Sequence, residues 1–293
     1  MIVTIHNDQL TLTADTLGAQ MQSITSYKGT EYLWNGDERY WKGRAPVLFP
    51  FVARLKDKTY TVNGGTYQMK IHGFASACEF EVAEQTESSV TFALRDNEVT
   101  RAQYPFAFLF KVRYALKEST VEVTYTVDNP ADEMLHFGLG GHPGFNVPLK
   151  EGTSFEDYYL RFSQPCEPDR VGFSSEILVS GVDKRYELED GQIIRLHHDL
   201  FDHDAIVLKN MAKSVTIASD KTKRHVTVSY PHMPYVGFWH AERKAAPYVC
   251  VEPWVSLPAR DGVIEDFACK GDLIHLPGHG SYENTWYITI GEE

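Results

Sequence analysis

The sequence is poor in cysteine, and the few cysteines it has are far apart. Its 293 residues include four of them, with no Cys-x-x-Cys pair: Cys78, Cys166, Cys250 and Cys269. This spacing is not typical of a disulfide framework or a structural zinc site, and it favours reduced thiols. None of the four stands in a local pattern typical of a catalytic nucleophile.

Long apolar segments are also absent. No apolar run approaches the roughly 20 residues that a membrane-spanning helix needs. The segment from Met1 to Asp8 alternates apolar and polar residues, without the basic region, apolar core and cleavage site of a signal peptide. We therefore expect a cytoplasmic protein that does not interact with membranes.

Positive charge is in deficit. The chain carries 40 acidic and 28 basic residues, for a formal net charge of −12. Nucleic acids and anionic membrane surfaces require clustered lysine and arginine, so the charge disfavours both as partners. A neutral small-molecule partner is compatible with this charge, and so is either a monomer or a homodimer.

Helical periodicity is scarce, whereas alternation of apolar and polar residues is common. Only two segments, Glu98 to Tyr104 and Ala259 to Phe267, are compatible with short helices. The period-two pattern predicts strands instead. They are expected at 10–14, 21–27, 60–62, 66–69, 80–82, 90–94, 109–116, 120–127, 193–196, 205–208, 214–218, 226–230, 235–239 and 286–290.

These strands predict an all-β fold with few short helices. Asn63-Gly64-Gly65 is a strong signal for a hairpin turn between two of them. No fixed-period repeat, low-complexity tract or linker divides the chain. We therefore expect one antiparallel β-sandwich domain over residues 1–293, although the order of the strands does not follow from the sequence.

One stretch places a histidine among residues that restrict or free the backbone. Gly140-Gly141-His142-Pro143-Gly144 is followed directly by Phe145-Asn146. Proline keeps the preceding residue out of the helical region, so His142 is held extended with a fixed direction. Its proton exchanges near neutral pH, which suits acid–base chemistry. An ordinary turn that contains a histidine is the alternative.

Three further stretches set polar residues among glycine, proline and aromatic residues. Arg44 and Arg54 lie in a segment with two prolines, and each either pairs with a carboxylate or binds a ligand. His72 precedes Gly73 directly after the predicted hairpin. Glu252 closes an apolar strand before Pro253 and Trp254, where burial would raise its pKa, and Trp254 offers a flat surface that suits a sugar ring.

Together these residues resemble those of a known family. Arg54, His72-Gly73, His142-x-x-Phe145-Asn146 and Glu252-Pro253 occur in the order found in aldose 1-epimerases, also called galactose mutarotases. The sequence is similar to the bacterial branch found near lactose and other sugar operons, over nearly its full length. The resemblance implies a galactose mutarotase-like supersandwich that interconverts sugar anomers without metal or cofactor.

The resemblance also implies roles for individual residues. By position, His142 matches the general acid and Glu252 the general base, while Arg54 and His72 match residues that hold sugar hydroxyls and the ring oxygen. The family's sugar-binding aspartate matches either Asp202, which its motif favours, or Asp204. A carboxylate near His142 would raise the pKa of the imidazole and keep it charged near neutral pH.

Three positions depart from the better-known family pattern. Ala53 stands where asparagine is usual, Phe74 where a second glycine is usual, and Trp254 where glutamine is usual. The proposed acid and base survive these changes, but the sugar contacts differ. A free aldohexose such as galactose or glucose is therefore the expected substrate, with a hexose 6-phosphate bound through extra arginines such as Arg44 as an alternative.

Two other classes of function remain as alternatives. A non-catalytic sugar-binding or sensing protein could use the same fold, although it would not need a matched acid and base. A metal enzyme built on His197, His198, His203 and Asp202 or Asp204 is less favoured, because adjacent residues of a strand point to opposite faces.

Overall fold

The computed structural model describes residues 1–292, and most of its regular structure is β-strand. Twenty-five strands follow one another along the chain. They are β1 (Ile2–His6), β2 (Leu10–Asp15), β3 (Gln20–Ser26), β4 (Val47–Leu48), β5 (Thr59–Val62), β6 (Gly65–Gln68), β7 (Glu81–Gln85), β8 (Ser89–Arg95), β9 (Leu109–Lys117), β10 (Thr120–Asp128), β11 (Leu135–Phe137), β12 (Gly140–Gly141), β13 (Gly144–Asn146), β14 (Tyr158–Phe162), β15 (Asp169–Arg170), β16 (Lys184–Arg185), β17 (Ile193–Arg195), β18 (Ile206–Lys209), β19 (Ser214–Ser219), β20 (Thr222–Ser229), β21 (Tyr235–Trp239), β22 (Tyr248–Trp254), β23 (Glu265–Asp266), β24 (Ile274–Leu276) and β25 (Ser281–Gly291).

Within residues 1–292, helical structure is confined to single turns. An α-helix, α1, spans Glu98–Arg101. Asn97 caps its N-terminus, and the Asn97 side chain accepts hydrogen bonds from the backbone N–H groups of Val99 and Thr100. Short 3₁₀ turns lie at Lys56–Lys58, Ala75–Ala77, Phe155–Asp157 and His198–Phe201. In the described part of the chain, no helix is long and apolar enough to cross a membrane.

Two large antiparallel sheets form the body of the molecule. The first has nine strands in the order β17-β14-β19-β20-β25-β10-β9-β8-β7. The second has eight, in the order β16-β15-β18-β21-β22-β12-β4, with β13 also paired to β22. Three smaller sheets complete the fold: β1-β2-β3, β11-β24, and β23-β5-β6, in which β23 and β5 run parallel.

The two large sheets pack face to face, as expected for a sandwich. The Phe49 ring, next to β4, stacks on Phe110 of β9 with centroids 4.4 Å apart. A Cβ at Gly141 of β12 would lie 2.6 Å from the Trp286 ring of β25, so the backbone of one sheet touches a side chain of the other. One hydrophobic cluster extends from Val3 to Ile290 and fills this interface. The predicted all-β sandwich is confirmed.

β22 is buried on both faces, and the two faces differ in character. Val249 and Val251 belong to the main hydrophobic cluster between the sheets. Because successive side chains alternate, Cys250, Glu252 and Trp254 occupy the opposite face. The carboxylate of Glu252 is therefore on the outer side of the eight-stranded sheet, away from the sandwich core.

The local predictions have mixed outcomes. β5 and β6 form the expected hairpin, with positive φ at Asn63 and Gly64, and the strand pairs β7-β8 and β9-β10 are confirmed. The helix considered for Ala259 to Phe267 is wrong. That segment forms turns and β23, and the Phe267 ring stacks on Tyr60 at 3.8 Å, so contact with a distant strand determines its conformation.

Candidate active site

Strand pairing places His142 opposite Glu252. Gly140 of β12 pairs with Trp254 of β22, and Gly144 of β13 pairs with Cys250. His142 and Glu252 lie midway between these two pairs, so their side chains share one face of the sheet. His142 Nε2 lies 3.3 Å from Glu252 Oε2, within hydrogen-bonding distance.

The His142 ring is held on several sides. Its backbone N–H donates to the carbonyl oxygen of Pro46 at 3.1 Å. The Trp41 ring stacks on the imidazole with centroids 4.9 Å apart, and the Trp239 ring approaches it edge-on at 5.7 Å. Such packing fixes the direction of the ring before any ligand binds, which favours a role in positioned proton transfer.

Burial controls the protonation of this pair. The Glu252 side chain is 2% exposed and that of His142 is 10% exposed. Removal from water raises the pKa of Glu252 well above its ordinary 4.5, and the nearby Asp204 carboxylate raises it further. Burial lowers the pKa of His142 to about 4. The expected upward shift of His142 is therefore wrong, since the loss of hydration on burial dominates its pKa.

Burial therefore favours the neutral form of both groups. In that form Glu252 carries a proton and His142 Nε2, 3.3 Å away, can accept it. Movement of that proton from oxygen to nitrogen gives a carboxylate beside an imidazolium without any change in net charge. The two groups thus form a unit that holds one transferable proton.

His72 presents a defined N–H to the same space. The backbone N–H of Ala53 donates to His72 Nδ1 at 3.1 Å, which leaves the hydrogen of a neutral ring on Nε2. Burial, together with His142 and Arg54, lowers the pKa of His72 well below 6.5, so the ring is neutral. Its centroid lies 5.4 Å from that of His142. His72 is therefore arranged as a hydrogen-bond donor rather than as an acid.

Asp204 lies at the site, whereas Asp202 does not. Asp204 Oδ2 is 3.7 Å from Arg54 Nη2, and both side chains line the cavity described below. Asp202 is absent from that lining, and its Oδ1 accepts the backbone N–H of Arg243 at 3.2 Å. The motif favoured Asp202, but a positive φ at Asp204 turns the chain so that the later carboxylate faces Arg54.

These side chains surround a cavity of about 700 Å³. Trp41, Trp239 and Trp254 supply flat apolar walls, of the kind that packs against sugar rings. The polar atoms converge from His72, His142, Glu252, Arg54, Asp204, Gln20 and Glu242. Apolar walls with a few directed polar groups are typical of a small-molecule site, and the volume exceeds that of one hexose.

Several lining residues were not predicted. They come from three separate parts of the chain: Gln20, Trp41, and the neighbouring residues Trp239 and Glu242. Trp41 lies only three residues before Arg44, so the sequence around Arg44 could have pointed to it. The others carry no local motif, because the fold alone brings them together.

Metal-ligating side chains gather at one place among the described residues. Ligand atoms of His142, Cys250 and Glu252 lie within 4.8 Å of one another. Two histidines of the metal-enzyme alternative are engaged elsewhere: His197 Nδ1 contacts Asp199 at 2.5 Å, and His198 Nδ1 contacts His240 Nε2 at 3.2 Å. The four cysteines are free thiols, in agreement with the sequence.

Comparison with known proteins identifies the family of the chain. Residues 1–260 match the family model described as aldose 1-epimerase. The Lactococcus lactis subsp. lactis protein LacX, chromosomal, is 33% identical over 266 residues, which cover 88% of each chain.

Two solved structures are also similar. A galactose mutarotase related enzyme from Lactobacillus acidophilus is 35% identical with a TM-score of 0.95, covering 100% of this chain and 98% of its own. A galactose mutarotase-like protein from Lactobacillus casei ATCC 334 is 31% identical with a TM-score of 0.92, covering 99% and 100%. This chain belongs to the aldose 1-epimerase family.

Proposed function

We propose that this protein is an aldose 1-epimerase that interconverts the α and β anomers of an aldohexose such as galactose or glucose. The observation that supports the proposal is the 3.3 Å contact between His142 Nε2 and Glu252 Oε2 at the wall of a cavity large enough for a sugar. The two reacting oxygens, the C1 hydroxyl and the ring oxygen, are bonded to the same carbon. Two adjacent proton-transfer groups match them.

The reaction balances with the single proton of the pair. With that proton on His142, the Glu252 carboxylate takes the proton of the C1 hydroxyl while the imidazolium gives its proton to the ring oxygen. The bond between C1 and the ring oxygen breaks, and an open-chain aldehyde forms. Rotation about C1–C2 exposes the other face of the aldehyde, and the reverse transfers close the ring.

The resting protonation matches that of the open-chain stage. After ring opening, Glu252 is protonated and His142 is neutral, which is the state that burial favours. No proton has to enter from solvent in either direction. Each positioned proton transfer typically contributes roughly 10²–10⁴-fold to the rate.

The remaining polar groups position the sugar in this proposal. His72 offers the N–H of Nε2 to a ring or hydroxyl oxygen. Arg54 and Asp204, 3.7 Å apart, supply donors and acceptors to neighbouring hydroxyls. Trp254 takes the place of a smaller polar residue in the better-known pattern and offers its indole face to the ring.

Polarimetry distinguishes this proposal from a non-catalytic sugar-binding protein. Freshly dissolved α-D-glucose and α-D-galactose should lose optical rotation faster with the protein than in buffer, at an unchanged rate after dialysis against EDTA. Calorimetric binding of these sugars without any acceleration would show a binding protein instead. A loss of rate on chelation that returns with added metal would contradict a metal-free mechanism.

A further inference from the structure

A second cavity adjoins the first. It has a volume of about 630 Å³ and shares Phe173, Ile177, Asp204 and Glu242 with the cavity that contains His142. Beyond this shared wall its lining includes Arg170, Gly172, Ser174, Ser175, Ser180, Lys184 and His203. The two spaces are therefore halves of one cleft, and a ligand bound near His142 has room to extend into the second half.

Two cations face each other in this second cavity. Arg170 of β15 pairs directly with Lys184 of β16, so their side chains lie on the same face of the sheet. The neighbouring pair, Asp169 and Arg185, forms an ion pair at 3.6 Å. Within residues 1–292, by contrast, neither Arg170 nor Lys184 has a carboxylate within 4.0 Å. Directly opposed like charges are destabilising in a sheet, which a bound anion would relieve.

Serine hydroxyls add uncharged donors beside the cations. Ser174 Oγ accepts the backbone N–H of Glu176 at 3.3 Å, and Ser180 Oγ accepts that of Val182 at 3.3 Å. Because each oxygen already accepts, its own hydroxyl hydrogen remains available to donate. A guanidinium, an ammonium and hydroxyl donors together match a phosphate group, whose oxygens accept only.

Asp204 and Glu242 lie on the shared wall, and the third acidic residue of the cleft, Glu252, lines the first cavity. Asp204 is engaged by Arg54 at 3.7 Å and faces the first cavity, where sugar hydroxyls provide donors. Glu242 also lines both halves. The cleft thus carries acceptors where a sugar would lie and cations beyond it.

We propose that the second cavity binds the phosphate of a phosphorylated aldose whose anomeric carbon lies beside His142 and Glu252. This proposal rests on the proposed function and defines its substrate class. Arg44, the arginine considered from the sequence, does not take this role: its Nη1 donates to the carbonyl oxygen of Gln22 at 2.7 Å, and it is not part of either lining. Arg170 and Lys184 take it instead.

The test compares free and phosphorylated sugars. Anomer exchange is measured by NMR saturation transfer for glucose, glucose 6-phosphate and maltose 6′-phosphate, which carries its phosphate one sugar unit further from the reacting end. We expect kcat/KM for at least one phosphorylated sugar to exceed that for glucose by about tenfold or more, with a preference that weakens at high salt. Whichever phosphorylated sugar is preferred identifies how far the phosphate lies from C1.

The double variant Arg170→Gln/Lys184→Gln tests the site itself. We expect it to remove most of the preference for the phosphorylated sugar. Its thermal midpoint should not fall, because the substitutions remove two opposed like charges and break no ion pair. Arg185→Gln on the same strand is the matched control and should keep the preference, because its guanidinium pairs with Asp169 outside the cleft.

Failure of this proposal is distinguishable from failure of the proposed function. If glucose is turned over without any preference for phosphorylated sugars, or if the double variant keeps the preference, the phosphate site is wrong and the epimerase proposal stands. If no sugar is turned over, calorimetry with glucose 6-phosphate decides: binding that the double variant loses supports the site, and binding that is absent or unchanged contradicts it.

Discussion

At the scale of single residues, the molecule places an imidazole and a carboxyl group in one buried contact. Water would keep a carboxylate and an imidazolium charged, but the cavity wall excludes water and makes the neutral pair the stable one. The sequence identified both residues but not their protonation, because hydration depends on Trp41 and Trp239, which only the fold brings against His142.

Removal of either member of the pair should abolish most of the turnover. Glu252→Gln removes the base and His142→Asn removes the acid, so we expect each rate to fall by roughly 10²–10⁴-fold. Polarimetry measures the rate, and circular dichroism confirms the fold. Glu252→Gln should also leave stability near neutral pH equal or greater, because an uncharged amide replaces a group whose ionisation is unfavourable there. A near-normal rate in either variant would show that the roles are wrongly assigned.

The pH profile should be bell-shaped. Below the acid limb the pair holds two protons and has no base, and above the alkaline limb it holds none and has no acid. Burial lowers the pKa of His142 to about 4 and raises that of Glu252 well above 4.5, so the one-proton state lies between these two limbs. The limbs of kcat/KM against pH belong to the pair as a unit. A single limb near pH 6.5 would instead indicate a well-hydrated histidine.

At the scale of secondary structure, close contact between strands aligns the site. Gly140 lies between β4 and β22, and a Cβ there would meet Trp254 Cδ1 at 2.7 Å and the Pro253 carbonyl oxygen at 2.8 Å. The absence of a side chain allows β12 to approach β22 closely enough for His142 to reach Glu252. Glycine is used here for close approach of two backbones.

Gly140→Ala should therefore disturb both stability and catalysis. We expect a loss of about 1–3 kcal/mol in the free energy of unfolding, as is usual for overpacking, and a lower rate as Trp254 is displaced. Urea unfolding and polarimetry measure the two effects. Gly271→Ala is the control, because no atom lies within 4 Å of its added Cβ. Equal effects of the two substitutions would mean that the β12–β22 contact tolerates a side chain.

The sequence predicts local elements better than their pairing. The hairpin of β5 and β6 follows from Asn63-Gly64, whose positive φ values the turn requires. The register of β12 and β13 on β22 does not follow, since these strands are separated by about a hundred residues and no turn sets their alignment. Thus His142 and Glu252 were predictable by resemblance, while the 3.3 Å contact between them was not.

At the scale of the whole molecule, buried histidines make the fold sensitive to acid. Burial lowers the pKa of His142 and of His240 to about 4, and that of His72 well below 6.5. An unfolded chain would bind protons at these positions near pH 6.5. Between pH 6.5 and 4 the unfolded state therefore holds more protons than the folded state, so stability falls as pH falls.

As the pH falls through that window, each of these histidines should lower the free energy of unfolding by up to roughly 1.4 kcal/mol per pH unit. Their contribution to stability is fully present only above pH 6.5. Urea unfolding at pH 7, 6 and 5 measures the slope for the whole protein. Asparagine at position 142 cannot bind the extra proton, so the stability of His142→Asn should decline less steeply than that of the wild type. Because carboxylates away from this site contribute equally to both proteins, the difference between the two curves reports the titration of the His142 and Glu252 pair. Parallel curves would mean that His142 is as protonated in the folded protein as in the unfolded chain, and the neutral resting pair on which the proposed proton transfer depends would then be excluded.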